Sequence, residues 1–233
     1  MKNYSNTYIF IFSIIMVVVV AAILSFAAIN LKPIQIKNVE IEKKQNILSS
    51  INMNSTAENA IEKYDEYITN SYVVNSQGEM VDGVDAFEIN ISDELHKEPL
   101  ERFYPVYIAS VEGKGEVYIL PFRGKGLWGP IWGYLSFQQD FNTIYGAYFD
   151  HAKETPGLGA EIANEEFQVQ FQGKEIFNEK GELVSIQVLK GAAPGNEHAV
   201  DGISGGTITS KGVQDMLDDI LKGYKPFIKK MRS

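Results

Sequence analysis

The chain has 233 residues, of which 45% are hydrophobic and 22% are charged, and its formal net charge is −9. The hydrophobic fraction suffices for a sizeable core, so we do not expect a disordered chain. The acidic balance disfavours nucleic-acid binding, because an acidic surface repels the phosphate backbone.

The first predicted element is an apolar helix at residues 8–30, after a short tail at residues 1–7. No charged side chain occurs from Ile9 to Ile29, and about 20 apolar residues span the core of a bilayer. The alternative is a cleaved signal peptide ending near Ser25-Phe26-Ala27, but its apolar region would be only roughly 7–15 residues long. We therefore predict a transmembrane helix, whose orientation the flanking charges leave open.

Residues 31–54 are predicted to be a charged connector, and residues 55–233 a head domain. The head begins with a predicted helix that is capped by Ser55 or Thr56, because an apolar stripe follows at helical spacing: Ala57, Ala60, Ile61, Tyr64 and Ile68. Residues 75–85 contain Gly78 and Gly83 and are predicted to be a loop.

From about Tyr104 the pattern changes to that of β-strands. Four aromatic and β-branched runs, at residues 106–111, 116–122, 131–137 and 143–149, are separated by turn-forming segments and predict an antiparallel sheet. Residues 182–189 are predicted to be a fifth strand, whereas residues 165–177 suit either a helix or a strand.

The last predicted element is an amphipathic helix that ends before Pro226. Its apolar face consists of Val213, Met216, Leu217, Ile220, Leu221 and Tyr224. We therefore predict an α+β fold, in which an N-terminal transmembrane helix precedes one domain with a mainly antiparallel sheet flanked by helices.

The sequence supplies few groups for nucleophilic or metal chemistry. It has no cysteine, its three histidines are far apart, and it lacks a G-x-S-x-G elbow. His151 with Glu154, or His198 with Asp201, could in principle join a metal ion, but neither spacing is diagnostic. We expect no metal site and no catalytic residue, and we expect His151 to make an ordinary hydrogen bond at the end of a strand.

The first of three glycine-punctuated blocks is GKGLWGPIWGYL, residues 124–135. It is either a hairpin loop whose Trp128 and Trp132 pack in the core, or a loop that places Leu127 and Trp128 against a flat ligand ring. The sequence pattern alone leaves both interpretations open.

The second block is ETPGLG, residues 154–159. Thr155 precedes Pro156 and must be extended, while Gly157 and Gly159 flank Leu158. Such a turn can direct backbone N–H groups towards carbonyl groups of a ligand, or it can simply reverse the chain.

The third block is DGISGGTITS, residues 201–210. Gly205 and Gly206 lack Cβ atoms next to Thr207, so a large group can approach its hydroxyl, and the following helix N-terminus favours an anion. The block is therefore a possible site of phosphate attachment or binding. The alternative is a helix start with Thr209 or Ser210 as the N-cap.

In this order the three blocks resemble the C subunit of the bacterial Na⁺-translocating NADH:quinone oxidoreductase. The flavinylation motif of that family is an Asp, two variable residues, Ser or Thr, Gly, a small residue and Thr. Here it is Asp201-Gly202-Ile203-Ser204-Gly205-Gly206-Thr207, with Gly206 where the family usually has Ala. Residues 151–161, residues 188–202 and the N-terminal span also look like the family.

The resemblance implies one span of the inner membrane, with the head on the periplasmic side, and one FMN joined covalently through its phosphate to Thr207. A separate Mg²⁺-dependent flavin transferase would attach the FMN from FAD. The chain would relay electrons within a complex of several subunits that couples NADH oxidation and quinone reduction to Na⁺ export. Two alternatives are the G subunit of an Rnf-type electron-transport complex and a membrane-anchored binding or assembly module without redox work.

The resemblance also implies which residues lie near the flavin. Leu127, Trp128 and Leu158 would pack near the isoalloxazine, Glu154 and Thr155 would lie at its polar edge, and Lys190 would be a cation near the phosphate or the ring. The complete predicted cofactor-binding set is Leu127, Trp128, Glu154, Thr155, Gly157, Leu158, Gly159, Lys190, Asp201, Ser204, Gly205, Gly206, Thr207 and Thr209.

Overall fold

The computed structural model describes residues 5–191 and 195–232, so part of the predicted N-terminal tail and part of the family-like stretch 188–202 lie outside the described residues. The chain divides into two units, Met1–Lys43 and Lys44–Ser233. The first unit contains most of helix α1, Asn6–Ser50, whose most apolar window has a mean hydropathy of 3.1 and contains no buried residue. By its length and composition, this helix can cross a membrane.

The second unit is built around a six-stranded antiparallel sheet in the order β2-β1-β3-β4-β5-β6. Its strands, in chain order, are β1 (Ile68–Asn75), β2 (Met80–Val81), β3 (Phe103–Val111), β4 (Gly115–Lys125), β5 (Pro130–Phe137) and β6 (Ile144–His151). Strands β3 to β6 confirm the four predicted runs and their antiparallel arrangement.

Helix α2, Ala60–Tyr67, is shorter than the predicted helix. Ile68 is instead the first residue of β1 and pairs with Ala109 of β3, because a β-branched side chain packs well in a sheet. The predicted cap was also wrong. Asn59 precedes the helix, and its side chain accepts a hydrogen bond from the Thr56 N–H at 2.8 Å.

The segment predicted to be a loop at residues 75–85 contains β2, which pairs with β1 at the edge of the sheet. It is followed by a short helix, α3 (Ile91–Leu95), and the ambiguous segment at residues 165–177 begins with another, α4 (Glu165–Gln168). A 3₁₀ turn, Val169–Phe171, continues α4 and buries Phe171.

The predicted fifth strand at residues 182–189 was wrong. Within this segment only Gln187–Leu189 forms a strand, β7, and it pairs in parallel with β8, Ala199–Asp201, in a separate two-stranded sheet. The physical reason is at Ser185, whose left-handed backbone (φ +59°) interrupts the extended run.

Helix α5, Thr207–Arg232, continues through Pro226, so the predicted end before this proline was wrong. Proline inside a helix removes one hydrogen bond and costs about 3 kcal/mol. The residues beyond it are anchored by burial, since Phe227 contacts the rings of Tyr72 and Phe141 at 5.9 and 5.5 Å between centroids. This packing offsets the local penalty.

Alternate residues of the central strands belong to two apolar clusters on opposite faces of the sheet. On one face, Val106, Ile108 and Leu120 pack with α5. On the other face, Tyr107, Ala109 and Ile119 pack with the end of α1, where Ile47 and Leu48 are buried, and with Ile51, which directly follows the helix. The last turn of α1 is therefore part of the core of the head.

We expect Ile47→Val to lower the free energy of unfolding of the head by about 0.5–1.5 kcal/mol, because it removes one methylene from a fully buried position. The control is Ile61→Val in α2, where the side chain is partly exposed and the change should stay within about 0.5 kcal/mol. Urea unfolding of the full chain in detergent measures both. Equal effects would contradict the role of α1 in the core.

Candidate functional site

The N-terminal half of α5 lies unusually close to the end of β4. A Cβ atom built on Gly212 of α5 would lie 2.5 Å from the carbonyl oxygen of Lys125, and one built on Gly124 would lie 2.6 Å from Cβ of Met216. Each element thus has a glycine where the other approaches it, so the helix and the strand lie closer together than larger residues would permit. The end of β4 therefore lies next to the second and third turns of α5.

Glu154, in the turn after β6, connects this loop with α5. Its side chain is only 5% exposed. Oε1 accepts the Trp128 N–H at 2.8 Å, and Oε2 accepts the Thr209 hydroxyl at 2.5 Å. We call these three groups, the Trp128 N–H, the Glu154 carboxylate and the Thr209 hydroxyl, the Glu154 bridge. It joins the three glycine-punctuated blocks of the sequence.

Two glycines leave the space that the carboxylate occupies. A Cβ atom on Gly126 would lie 2.6 Å from Oε1 of Glu154, and one on Gly159 would lie 2.5 Å from Oε2 and would overlap Oγ1 of Thr209. Gly126 was not among the predicted site residues, although its place in the GKGLWG block was an available signal. Gly159 lies beside the Glu154 bridge.

The Glu154 carboxyl has a pKa below its ordinary value. Burial by itself would raise this pKa, but hydrogen bonds from the Thr209 hydroxyl and from backbone N–H groups of Trp128, Leu127 and Gly129 stabilise the charged form and outweigh burial. The side chain is therefore a carboxylate at neutral pH and accepts hydrogen bonds with both oxygens.

This lowered pKa predicts a dependence of stability on pH. A depressed pKa in the folded state gives a contribution that is fully present above the unfolded-state pKa of about 4.3 and is lost as the pH falls through the lower folded-state value. We expect Glu154→Gln to reduce stability at pH 7 and to reduce the further loss between pH 5 and pH 3. Urea midpoints across this range test it, with the exposed Glu179→Gln as the control. Parallel curves for all three chains would contradict it.

A set of exposed apolar side chains comes from the three segments that the bridge joins. It consists of Leu127, Trp128, Leu158 and Ile208, and Trp128 is 64% exposed. Because large apolar side chains grouped on a surface indicate a binding site, the interpretation of Trp128 as a core residue was wrong. Trp132 is half-buried, with the Arg123 guanidinium 5.8 Å from its ring.

Thr207 is the first residue of α5, and its side chain is exposed. The N–H groups of a first helical turn lack intrahelical partners and favour an anion. The prediction of Thr209 or Ser210 as the N-cap was wrong, since both are buried inside the helix. Thr209 belongs to the Glu154 bridge, and Oγ of Ser210 accepts the Ile203 N–H at 2.9 Å.

The ETPGLG turn contacts the loop that precedes Thr207. Gly205 has a left-handed backbone (φ +74°), and a Cβ atom on it would lie 2.7 Å from Cδ2 of Leu158. A Cβ atom on Gly206 would lie 3.3 Å from the nitrogen of Gly159. The exposed Thr155 accepts the N–H groups of Leu158 and Ala160 with its carbonyl oxygen, both at 3.1 Å.

The remaining predicted site residues lie at the edges of this arrangement. Gly157 (φ +75°) donates its N–H to Oε1 of Glu161 at 2.7 Å, and Ser204 is exposed in the turn before Gly205. Asp201 ends β8, and its N–H donates to Gln170. Lys190 is exposed and directly follows β7. Its neighbour Leu189 pairs with Asp201, so Lys190 lies beside the end of β8.

Sequence analysis missed the cations that share a cleft with Trp128. Arg123 and Lys125, at the end of β4, line a cleft of about 590 Å³ together with His96, Leu127 and Trp128. Their proximity in sequence to GLWG was the available signal. A cationic wall beside an exposed aromatic face can favour an electron-rich ring.

Within residues 5–191 and 195–232, no group of three or more His, Asp or Glu side chains could hold a metal ion. His151 ends β6 and, as predicted, makes an ordinary hydrogen bond, with its Nδ1 3.3 Å from the Glu154 nitrogen. Nδ1 of His198 lies 2.6 Å from the carbonyl oxygen of Glu175.

Several known proteins are similar to this chain. A family described as "FMN-binding domain" matches residues 126–222, which include the whole Glu154 bridge. The C subunit of the Na(+)-translocating NADH-quinone reductase from Haemophilus ducreyi is 32% identical over 94% of this chain and 92% of its own length. Its counterpart from Vibrio vulnificus is 33% identical over 92% of this chain and 91% of its length.

Two crystal structures have the same fold. The C subunit of the reductase from Parabacteroides distasonis is 47% identical and aligns with a TM-score of 0.78 over 85% of this chain and 96% of its own. NqrC from Shewanella oneidensis aligns with a TM-score of 0.71 over 83% of this chain and 97% of its own. At 22% identity this second alignment bears on the fold alone.

Proposed function

Since this chain belongs to the family formed by the C subunit of Na⁺-translocating NADH-quinone reductases, we propose that it carries a covalent FMN on Thr207 and relays electrons within that complex. The observation that supports this most directly is the exposed Thr207 at the start of α5, beside a cluster of exposed apolar side chains. Thr207 also occupies the last position of the flavinylation motif at residues 201–207, which is that of the acceptor threonine.

The attachment forms an ester between Oγ1 of Thr207 and the FMN phosphate of FAD. The pyrophosphate bond of FAD breaks, AMP leaves, and the hydroxyl proton is released. The first-turn N–H groups of α5 favour the negative phosphate, and the glycines at positions 205 and 206 leave its approach open. A separate flavin transferase performs this step, so this chain is the acceptor.

The surroundings of Thr207 fit a flavin. Leu127, Trp128 and Leu158 offer apolar surface for a flat ring, and the Trp128 indole can stack on it. Arg123 and Lys125 line a cleft together with Leu127 and Trp128, and their charges favour electron density on a ring that stacks there. FMN supplies the redox chemistry when it is bound, while the protein holds, orients and electrostatically tunes it.

In this proposal, α1 anchors the protein in the inner membrane and the head lies on the periplasmic side. The apolar stretch of α1 supports the anchor through its length and composition. The partners are the other subunits of the redox complex and, during maturation, the transferase. Residues 1–7 and 8–30 serve as tail and span, and the flavin-binding domain, predicted to begin at residue 55, also includes the end of α1 that the sequence assigned to the connector at residues 31–54.

Intact mass spectrometry of the full chain tests the proposed function. We expect the chain produced with a flavin transferase and FAD to gain the mass of FMN minus one water, and the chain produced without the transferase to remain unmodified. In-gel flavin fluorescence after denaturation should agree. A chain that stays unmodified with active transferase and FAD would overturn the proposal.

A further inference from the structure

The first turn of α5 presents two threonine hydroxyls in opposite directions. Thr207 is exposed, whereas Thr209 is 1% exposed and donates to Glu154. Successive residues of an α-helix are separated by about 100°, so positions two apart point about 200° from each other. Holding Thr209 inward therefore turns Thr207 outward.

We propose that Glu154 and Thr209 are positioning residues for flavin attachment, which hold the first turn of α5 in the rotation that presents the Thr207 hydroxyl. This inference rests on the proposed function of Thr207. It also gives Glu154 and Thr209 a role different from the direct flavin contacts predicted from sequence. Both oxygens of Glu154 and the hydroxyl of Thr209 are engaged within the protein.

The Glu154 bridge is well placed for this role because the hydrogen bonds of a helix constrain its first turn less than its interior, so the direction of a first-turn side chain needs another anchor. First-turn N–H groups have no partners within the helix, and helix ends fray. The anchor is a hydrogen bond to a charged group inside the protein, which is stronger than one between neutral groups. Glu154 and Thr209 are 55 positions apart, so the anchor ties the turn to the sheet.

The same bridge accounts for the choice between the two hydroxyls. Thr209 has the same functional group as Thr207, but its oxygen lies against Glu154 and next to Gly159, where no phosphate can reach it. Glu154 also fixes the Trp128 backbone, so the attachment point and the apolar surface for the ring are held relative to one another.

The test is the initial rate of flavin attachment to the full chain in detergent, with transferase and saturating FAD, followed by intact mass. We expect Thr209→Val, which keeps the shape and removes the hydroxyl, to slow attachment at least about ten-fold. Thr209→Ser, which retains the hydroxyl, should remain within about two-fold of the wild type. Rates are measured at a temperature where circular dichroism shows each chain to be folded.

A matched control separates positioning from general stability. Thr143→Val removes another threonine-to-carboxylate hydrogen bond, the more exposed one from Thr143 Oγ1 to Oδ2 of Asp140 at 2.6 Å, outside the site. We expect it to lower the unfolding temperature without slowing attachment. A wild-type rate for folded Thr209→Val, or equal slowing by Thr143→Val, would overturn the inference and leave the proposed function intact. A wild-type chain that never gains flavin would overturn both.

Discussion

The Thr207→Ala variant is expected to gain no covalent flavin under conditions in which the wild-type chain is modified. The ester needs a hydroxyl oxygen at position 207, and the other hydroxyl of the same turn, on Thr209, is buried against Glu154. The expected result is complete loss of the mass increment and of flavin fluorescence in denaturing gels. Thr207→Ser keeps the oxygen and should retain attachment.

The effect of Thr207→Ala on folding should be small. The side chain is exposed, and exposed substitutions usually change stability by no more than about 0.5 kcal/mol. Thr56→Ala, at another exposed threonine, is the matched control and should be flavinylated like the wild type. A full mass increment on the Thr207→Ala chain would contradict the assignment, and peptide mapping would then identify the true acceptor.

Gly159→Ala is expected to cause the second large effect, on both stability and attachment. The added Cβ atom would lie 2.5 Å from Oε2 of Glu154 and would overlap Oγ1 of Thr209, so the Glu154 bridge must open. Overpacking costs about 1–3 kcal/mol, and an unsatisfied buried carboxylate adds about 1–3 kcal/mol. For a domain of this size, each kcal/mol lowers the unfolding temperature by roughly 2–4 °C.

Gly129→Ala is the matched control for this variant. It lies in the loop that contains Trp128, but an added Cβ atom there would come no closer than 3.4 Å to another residue, at Cβ of Lys153. Calorimetry of the full chains in detergent should show a drop of several degrees for Gly159→Ala and almost none for Gly129→Ala. Similar unfolding temperatures for the two variants would contradict the close approach of the Glu154 carboxylate to Gly159.

Sequence reasoning predicted the elements whose pattern is local. The apolar run of α1 and the aromatic and β-branched runs of β3 to β6 are visible within short windows, because these patterns depend only on neighbouring residues. Two of the errors occurred where distant packing decided the outcome. Ile68 joined a strand because β3 lay beside it, and α5 passed through Pro226 because Phe227 was buried.

The candidate site, too, was predicted where its signal is local and missed where distant contacts decide it. The order of the motif pointed to Thr207, and the GLWG and ETPGLG blocks pointed to Leu127, Trp128 and Leu158. No sequence pattern distinguished a buried Glu154 from one at the edge of a ligand, since its environment depends on Trp128 and on Thr209, 55 positions away. Arg123 and Lys125 were missed because surface cations are common and only a shared cleft distinguishes them.

The sequence by itself therefore determined the apolar, membrane-length stretch of α1, the α+β class, the central strands and the candidate acceptor threonine. The tertiary structure decided which of two neighbouring hydroxyls is accessible, which tryptophan is exposed, and that Glu154 joins the three blocks. The physical reason is that periodicity and motif order are local properties of the chain. Exposure and hydrogen-bond partners arise only when β4, β6 and α5 pack together.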